Sequence, residues 1–413
     1  MERVLTGILM VLAPMALAVS ALAIGYSVDH PTWWNAAVHL AILGGITMMI
    51  YAVNFRFIPV FARRSWRFPC LVLAQVAAGL LGAWLDFAGI GLRAIWMERI
   101  GIALALAGAV LFMFNVASLF HQKAHTPPPT DLHPDQAAVD KVGIGFTKLS
   151  ASWLIVGLLI GVILSWWQPS FGRWDLVWAH AMLVGWFMTM AGGVSYHVLP
   201  RWTGVPWRST QMVRLHYQIV TFGLPFMVLA LATGWQWLFF IAGPLQALAI
   251  LVFLVNVAPM VVKLTGPVRL AIAIAAMFLI VGLSLGVMFA VDASTGPRLR
   301  QVHVMANVFG WAGLLISGYG YQFVPAFSGR RLIWPRLATI QIGVMVVGVL
   351  TGMYAMWARM FDGGSGQAVT TACIVVAAGL VMFVIETAAT FLAGRVEHIQ
   401  LLSPTGSLPR ITS

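Results

Sequence analysis

Three histidines stand within apolar stretches of the chain: His39, His180 and His303. An ionisable side chain inside a membrane-length apolar run is costly and marks a site, unless it serves only to bond a neighbouring helix. Neutral imidazole is a ligand for iron and copper. A single such residue would be read as helix packing; three at matched positions point to metal ligation. Met305, two residues beyond His303, adds a thioether that could be an axial ligand to iron or an apolar packing residue.

The match is a repeat. The segments run from His39 to Pro59, from His180 to Pro200 and from His303 to Pro325. Gly44, Gly185 and Gly310 each precede the proline by fifteen residues, and a small residue (Ala52, Gly193, Gly318) follows each glycine by eight. His39 and His180 lie five residues before their glycine. His303 lies seven before, and Met305 takes the five-before position. The glycines recur after 141 and 125 residues. Such a glycine would let a flat macrocycle approach the backbone, or would let two helices pack closely.

The elements that must carry these residues follow from composition. Of 413 residues, 61% are hydrophobic and 9% charged. A soluble domain carries about 25% charged residues, so a soluble enzyme and a disordered chain are both excluded. Apolar windows of about 18–20 residues or more occur near 4–26, 34–61, 67–89, 95–120, 147–167, 174–200, 211–233, 235–258, 267–292, 299–325, 335–357 and 367–393. The first is too long for a signal-peptide core and is read as a span. The expected fold is therefore an all-α polytopic membrane protein of twelve transmembrane helices, built as three pseudo-repeated four-helix units. It forms one integral membrane domain, with units at about 1–120, 147–258 and 267–393, a cytoplasmic loop at 121–146 and a disordered tail at 398–413.

The net charge of +12 invites a nucleic-acid reading, but the cations cluster between spans. With both termini inside, 18 of the 24 Lys and Arg fall on the inner side and 6 on the outer, which is the positive-inside pattern. The three site histidines then share a depth of roughly 6–9 Å below the outer boundary. His121, His125 and His133 lie in the Pro-rich loop and read as solvated residues. His197 and His216, near inner span ends, read as interfacial or structural, and His30 as a surface residue of the outer face. Cys70 and Cys373 support neither a disulfide framework nor a cysteine metal site. Asp86 and Glu98 read as outer-surface carboxylates. No acidic relay crosses the membrane, which argues against proton pumping.

This layout resembles the catalytic subunit I of haem–copper oxidases and nitric oxide reductases. The segment HVMANVFGW, with Tyr321 and Pro325 beyond, is similar to the family's span ten, and the spacing from His180 to Pro200 to its span six. The resemblance implies haem, one or two and of b type. His303 would bind the high-spin haem and His39 a low-spin haem opposite Met305, with His180 at the copper-ligand position. The family's adjacent pair of histidines on span seven is missing, since that span holds only His216, so the copper centre reads as incomplete. The segment WAHAMLVGW…VLPRWTGVP also resembles the NnrS family through Pro200, Trp202, Thr203 and Gly204, although Trp178 and Ala181 replace that family's first histidine and its glutamate. The implied function is binding or reduction of a small gas, NO or O₂, in respiration or nitrogen-oxide metabolism. Electrons would come from a quinol or cytochrome, in a bacterial inner membrane. A secondary transporter and a non-catalytic assembly or sensor protein are the alternatives.

Overall fold

The computed structural model describes residues 2–125, 133–292, 294–361 and 363–393. The expected tail at 398–413 and part of the Pro-rich loop lie outside them. Twelve helices are long and apolar enough to cross a membrane: α1 Glu2–Tyr26, α2 Thr32–Ala62, α3 Pro69–Leu92, α4 Ile95–Phe120, α5 Gln136–Trp166, α6 Trp174–Thr203, α7 Thr210–Thr233, α8 Gln236–Val261, α9 Gly266–Val291, α10 Leu299–Ser328, α11 Pro335–Phe361 and α12 Gly366–Leu392. No described residue lies in a strand. In lipid the backbone must satisfy its own polar groups, which leaves helices as the solution for apolar runs of this length.

One boundary differs from the sequence reading. Residues 136–146, expected in the loop, form the first turns of α5. The apolar run begins only near 147, but Ala and Val propagate the helix below it. Asp140 holds that extension in place by accepting from Arg201 at 2.6 Å and from His197 at 2.8 Å.

The helices fall into two compact units. The first holds α1 to α4, Gly266–Phe278 of α9, α10 from Val304 onward, α11 and α12. The second holds α5 to α8 and Leu279–His303. Within the first, α3 and α4 approach backbone to backbone: a Cβ on Gly82 would lie 2.6 Å from the Ala105 nitrogen. A Cβ on Gly101 would collide with the Asp86 backbone. Small residues permit this contact, which substitutes for the hydrophobic drive that lipid removes. Thr370 of α12 donates to the Gly25 carbonyl of α1 at 3.0 Å.

The three repeat segments lie in strongly enclosed helices, matched only by α1 at 61% among the described residues. In α2, α6 and α10, 83%, 61% and 72% of the apolar stretch is buried, against 33–44% in α3 to α5, α7 to α9 and α11. The less buried helices turn Leu81, Phe114, Ile163 and Met277 outward, as a lipid-facing surface requires.

The repeat is visible in packing. Gly44 of α2 faces Ala16 of α1, Gly185 of α6 faces Trp153 of α5, and Gly310 of α10 faces Phe278 of α9. Eight residues on, the Ala52 carbonyl accepts from Thr6 of α1. Gly193 faces Phe146 of α5, and Gly318 faces Ile272 of α9. Each prolines' carbonyl then accepts from a left-handed residue four positions later: Arg63 (φ 56°), Gly204 (φ 67°) and Gly329 (φ 74°). These close the three helices alike. The repeat glycines seat a neighbouring helix, which is one of the two uses the spacing allowed.

Candidate functional site

Each site histidine stands at the start of a wide helical turn. The backbone adopts π-helical i→i+5 bonding over Ala41–Thr47 in α2, Ala181–Met188 in α6 and Met305–Gly313 in α10. The segments begin one or two residues after His39, His180 and His303, and all end three residues past Gly44, Gly185 and Gly310. No other described segment is π-helical. Such turns are uncommon and concentrate at functional sites, because they re-aim the side chains beside them.

In the first unit, His39 Nδ1 donates to Asp86 Oδ2 of α3 at 2.7 Å, and the carboxylate is 1% exposed. The sequence reading left Asp86 at the outer surface; it is buried beneath the imidazole. Its signal in the sequence was its isolation, as the sole acidic residue of α3. A carboxylate on Nδ1 fixes the tautomer with its lone pair on Nε2, orients the ring and raises its basicity as a ligand. Aromatic rings cover the neighbouring helix ends: Tyr26 stacks on His30 at 4.1 Å, and Trp33 meets Phe87 edge-on at 5.2 Å. His30 is thus part of an aromatic cluster. Met305 is buried, with its methyl seated on Gly352 of α11.

In the second unit, His180 Nδ1 donates to the Leu176 carbonyl one turn earlier, at 2.8 Å. His303 hydrogen-bonds the backbone of Gly282 in α9. A Cβ on Gly286, one turn further along α9, would sit 3.6 Å from His303 Cε1. His303 thus lies over a strip of α9 kept bare by two glycines, with Phe289 at 5.4 Å. The rings of His180 and His303 come together: their centroids are 6.4 Å apart and their planes 24° from parallel.

The start of α6 is clamped. Gly172, in the left-handed region at φ 73°, lies against the Ala232 carbonyl, where a side chain would not fit. Arg173 donates its backbone N–H to Leu231 at 2.9 Å. Val177, Leu231 and Ala232 form a buried cluster that Trp174 and Leu176 cover. Leu176, whose carbonyl orients His180, is therefore itself held in place.

The other histidines have structural partners. His197 donates to Asp140 and rests on the bare backbone of Gly143. His216 is 6% exposed, 3.2 Å from the Tyr196 hydroxyl and packed among Phe146 and Phe253. His133 accepts from the Asp135 N–H and lies against Trp207, and the backbone N–H of His125 donates to the Arg63 carbonyl. Among the described residues no group of three or more His, Cys, Asp or Glu converges as a metal cluster.

No family model and no curated protein sequence matches the chain. Among solved structures it is similar to a haem–copper terminal oxidase seen as a dimer by cryo-EM, with a TM-score of 0.70 and 12% identity over 98% of this chain and 86% of that one. That likeness is one of fold, and it agrees with the helices traced above: the chain is a multi-pass, all-α membrane protein of twelve helices with haem–copper-oxidase architecture.

Proposed function

We propose that this protein binds haem in a bacterial inner membrane, with both termini cytoplasmic, and binds or reduces NO or O₂ with electrons from a quinol or cytochrome. The observation that supports it most is the pairing of His180 with His303 without a third ligand among the described residues. A bare zinc or copper ion draws on three or four protein donors. Haem iron takes four nitrogens from its macrocycle and needs only one or two axial imidazoles, so the donor set fits haem. When bound, haem supplies a redox-active iron that can take a diatomic gas.

The chain's own groups then have defined work. His303 would hold that iron, steadied by the Gly282 backbone. His180 stands across from it, steadied by Leu176. Phe289 and the bare face of α9 line the site with apolar surface and keep water from it. His39, held by Asp86, would hold a second haem. Copper has no place in this reading, because the only α7 histidine is committed to Tyr196 and its aromatic neighbours.

Optical spectra of detergent-purified protein, oxidised, dithionite-reduced and NO-treated, test the reading. A Soret band that sharpens on reduction and shifts with NO is the expected result. Protein that stays colourless after incubation with haem would overturn it and move a secondary transporter to the front. Gas consumption with an electron donor separates an oxidoreductase from a sensor or assembly protein.

A further inference from the structure

We propose that His180 and His303 are the two axial ligands of one haem iron, which is closed to gases until His180 leaves it. The inference rests on the haem reading above and deepens it. An imidazole nitrogen lies about 2.0–2.1 Å from a bound transition-metal ion and roughly 1.2 Å from its own ring centre. Two imidazoles in line on one ion therefore have centres about 6.4 Å apart. The observed separation is 6.4 Å. A gas molecule held between the iron and a distal histidine would require about 8 Å or more by the same arithmetic. A separate metal on His180 would also need further donors, and no such cluster forms among the described residues.

The anchoring of the two rings agrees. His180 gives its Nδ1 proton to Leu176, so its neutral tautomer carries the ligating lone pair on Nε2. His303 is held by Gly282 over the glycine strip of α9. Both attachments are backbone groups, and a backbone carbonyl is among the usual partners of ligating imidazoles. The two are not equally secured. His180 bonds within its own helix, at the junction of α-helix and wide turn, whereas His303 is tied to a neighbouring helix. His180 is the ligand that leaves.

The test is electron paramagnetic resonance and optical spectroscopy of the full-length protein, wild type against H180A, H180G and H303A. Difference spectra remove the contribution of a haem at His39. Wild type is expected to show a low-spin ferric signal, of the rhombic kind that near-parallel imidazole planes produce. H180A should convert it to high spin with haem retained, and millimolar imidazole should restore the low-spin signal in H180G. H303A should lose this haem or most of it. Carbon monoxide binding to reduced protein should saturate with gas concentration in wild type, where His180 departure limits it. In H180A it should rise linearly and be at least tenfold faster at low concentration. A haem whose spin state is the same in wild type and H180A overturns the inference and leaves the haem reading standing. Wild-type protein without haem overturns both.

Discussion

Removing either partner of the His39–Asp86 pair should have unequal costs, and the inequality follows from burial. The bond is 2.7 Å long, and Asp86 is 1% exposed. H39A leaves a buried carboxylate without its partner, which costs about 3–5 kcal/mol. D86A instead leaves a neutral imidazole short of one acceptor and costs about 1–3 kcal/mol. D86N keeps an acceptor without the charge and should fall below D86A. The double substitution H39A/D86A removes both groups, so its cost should fall short of the sum by about 1.5–3 kcal/mol, the range for a hydrogen bond to a charged group. Reversible unfolding in mixed detergent micelles measures all four variants. Single costs that add to within about 0.5 kcal/mol would refute the pairing, because that is how unconnected sites behave. With haem present, loss of a carboxylate behind a ligating histidine should weaken retention about 10–100-fold. It should also raise the midpoint potential of the His39 haem, since the less basic imidazole stabilises ferric iron less. A potential unmoved in D86A would exclude His39 as a ligand.

Three further outcomes follow from the packing. Gly204→Ala and Gly329→Ala should each cost about 1 kcal/mol, and Arg63→Gly should gain a similar amount, since all three positions are left-handed caps; thermal melts in detergent decide this, and no loss at Gly329, where no atom lies within 4 Å, would deny the backbone cause. Gly185→Val and Gly310→Val should cost about 1–3 kcal/mol by overpacking against Trp153 and Phe278, where a Cβ would come within 2.7 and 2.6 Å; haem spectra unchanged in the folded fraction are expected, and a direct loss of spectrum without loss of stability would return these glycines to the haem surface. Asp140→Ala should cost about 3–5 kcal/mol by stripping the partly buried Arg201 of its two-pronged partner, with increased proteolysis of the first turns of α5 as the marker; an intact α5 start would show that the apolar run alone holds it.

What the sequence disclosed and what it withheld divide along physical lines. Lipid demands about twenty apolar residues per crossing, so length and hydropathy locate the helices almost to the residue: α2 was expected near 34–61 and spans Thr32–Ala62. The start of α5 was hidden because Gln136, Asp140 and Lys141 interrupt the apolar run, and Asp140 finds its partner in Arg201, sixty-one residues away. The spacing of Gly44, Gly185 and Gly310 could be read, but their purpose could not. A bare helix face suits a macrocycle or another helix equally, and only Ala16, Trp153 and Phe278 decide between them. Asp86 looked like a surface carboxylate because nothing local reveals a partner forty-seven residues back. The wide turns have no residue code at all. AILGGIT, AMLVGWFM and MANVFGWAG share little beyond the anchor glycine.

The wide turns also account for the one irregularity of the repeat. A π segment advances by about 80–85° per residue instead of about 100°. Counted back from the anchor glycine, His39 spans three wide steps and two ordinary ones, and His180 spans four and one. His39 arrives about 80–95° beyond its glycine and His180 about 60–80°, so the two imidazoles leave their helices on similar faces. In α10 the wide turn reaches back to Met305, which five wide steps place near that same face. Two ordinary steps more carry His303 about 200° further round, to the opposite flank. Met305 thus inherits the repeat position and uses it to pack on Gly352, while His303 faces the bare strip of Gly282 and Gly286. The departure of His303 from the five-before spacing is the displacement that sets it beside His180. A repeat kept strictly in register would have turned this imidazole toward Gly352 and left His180 without the ring beside it.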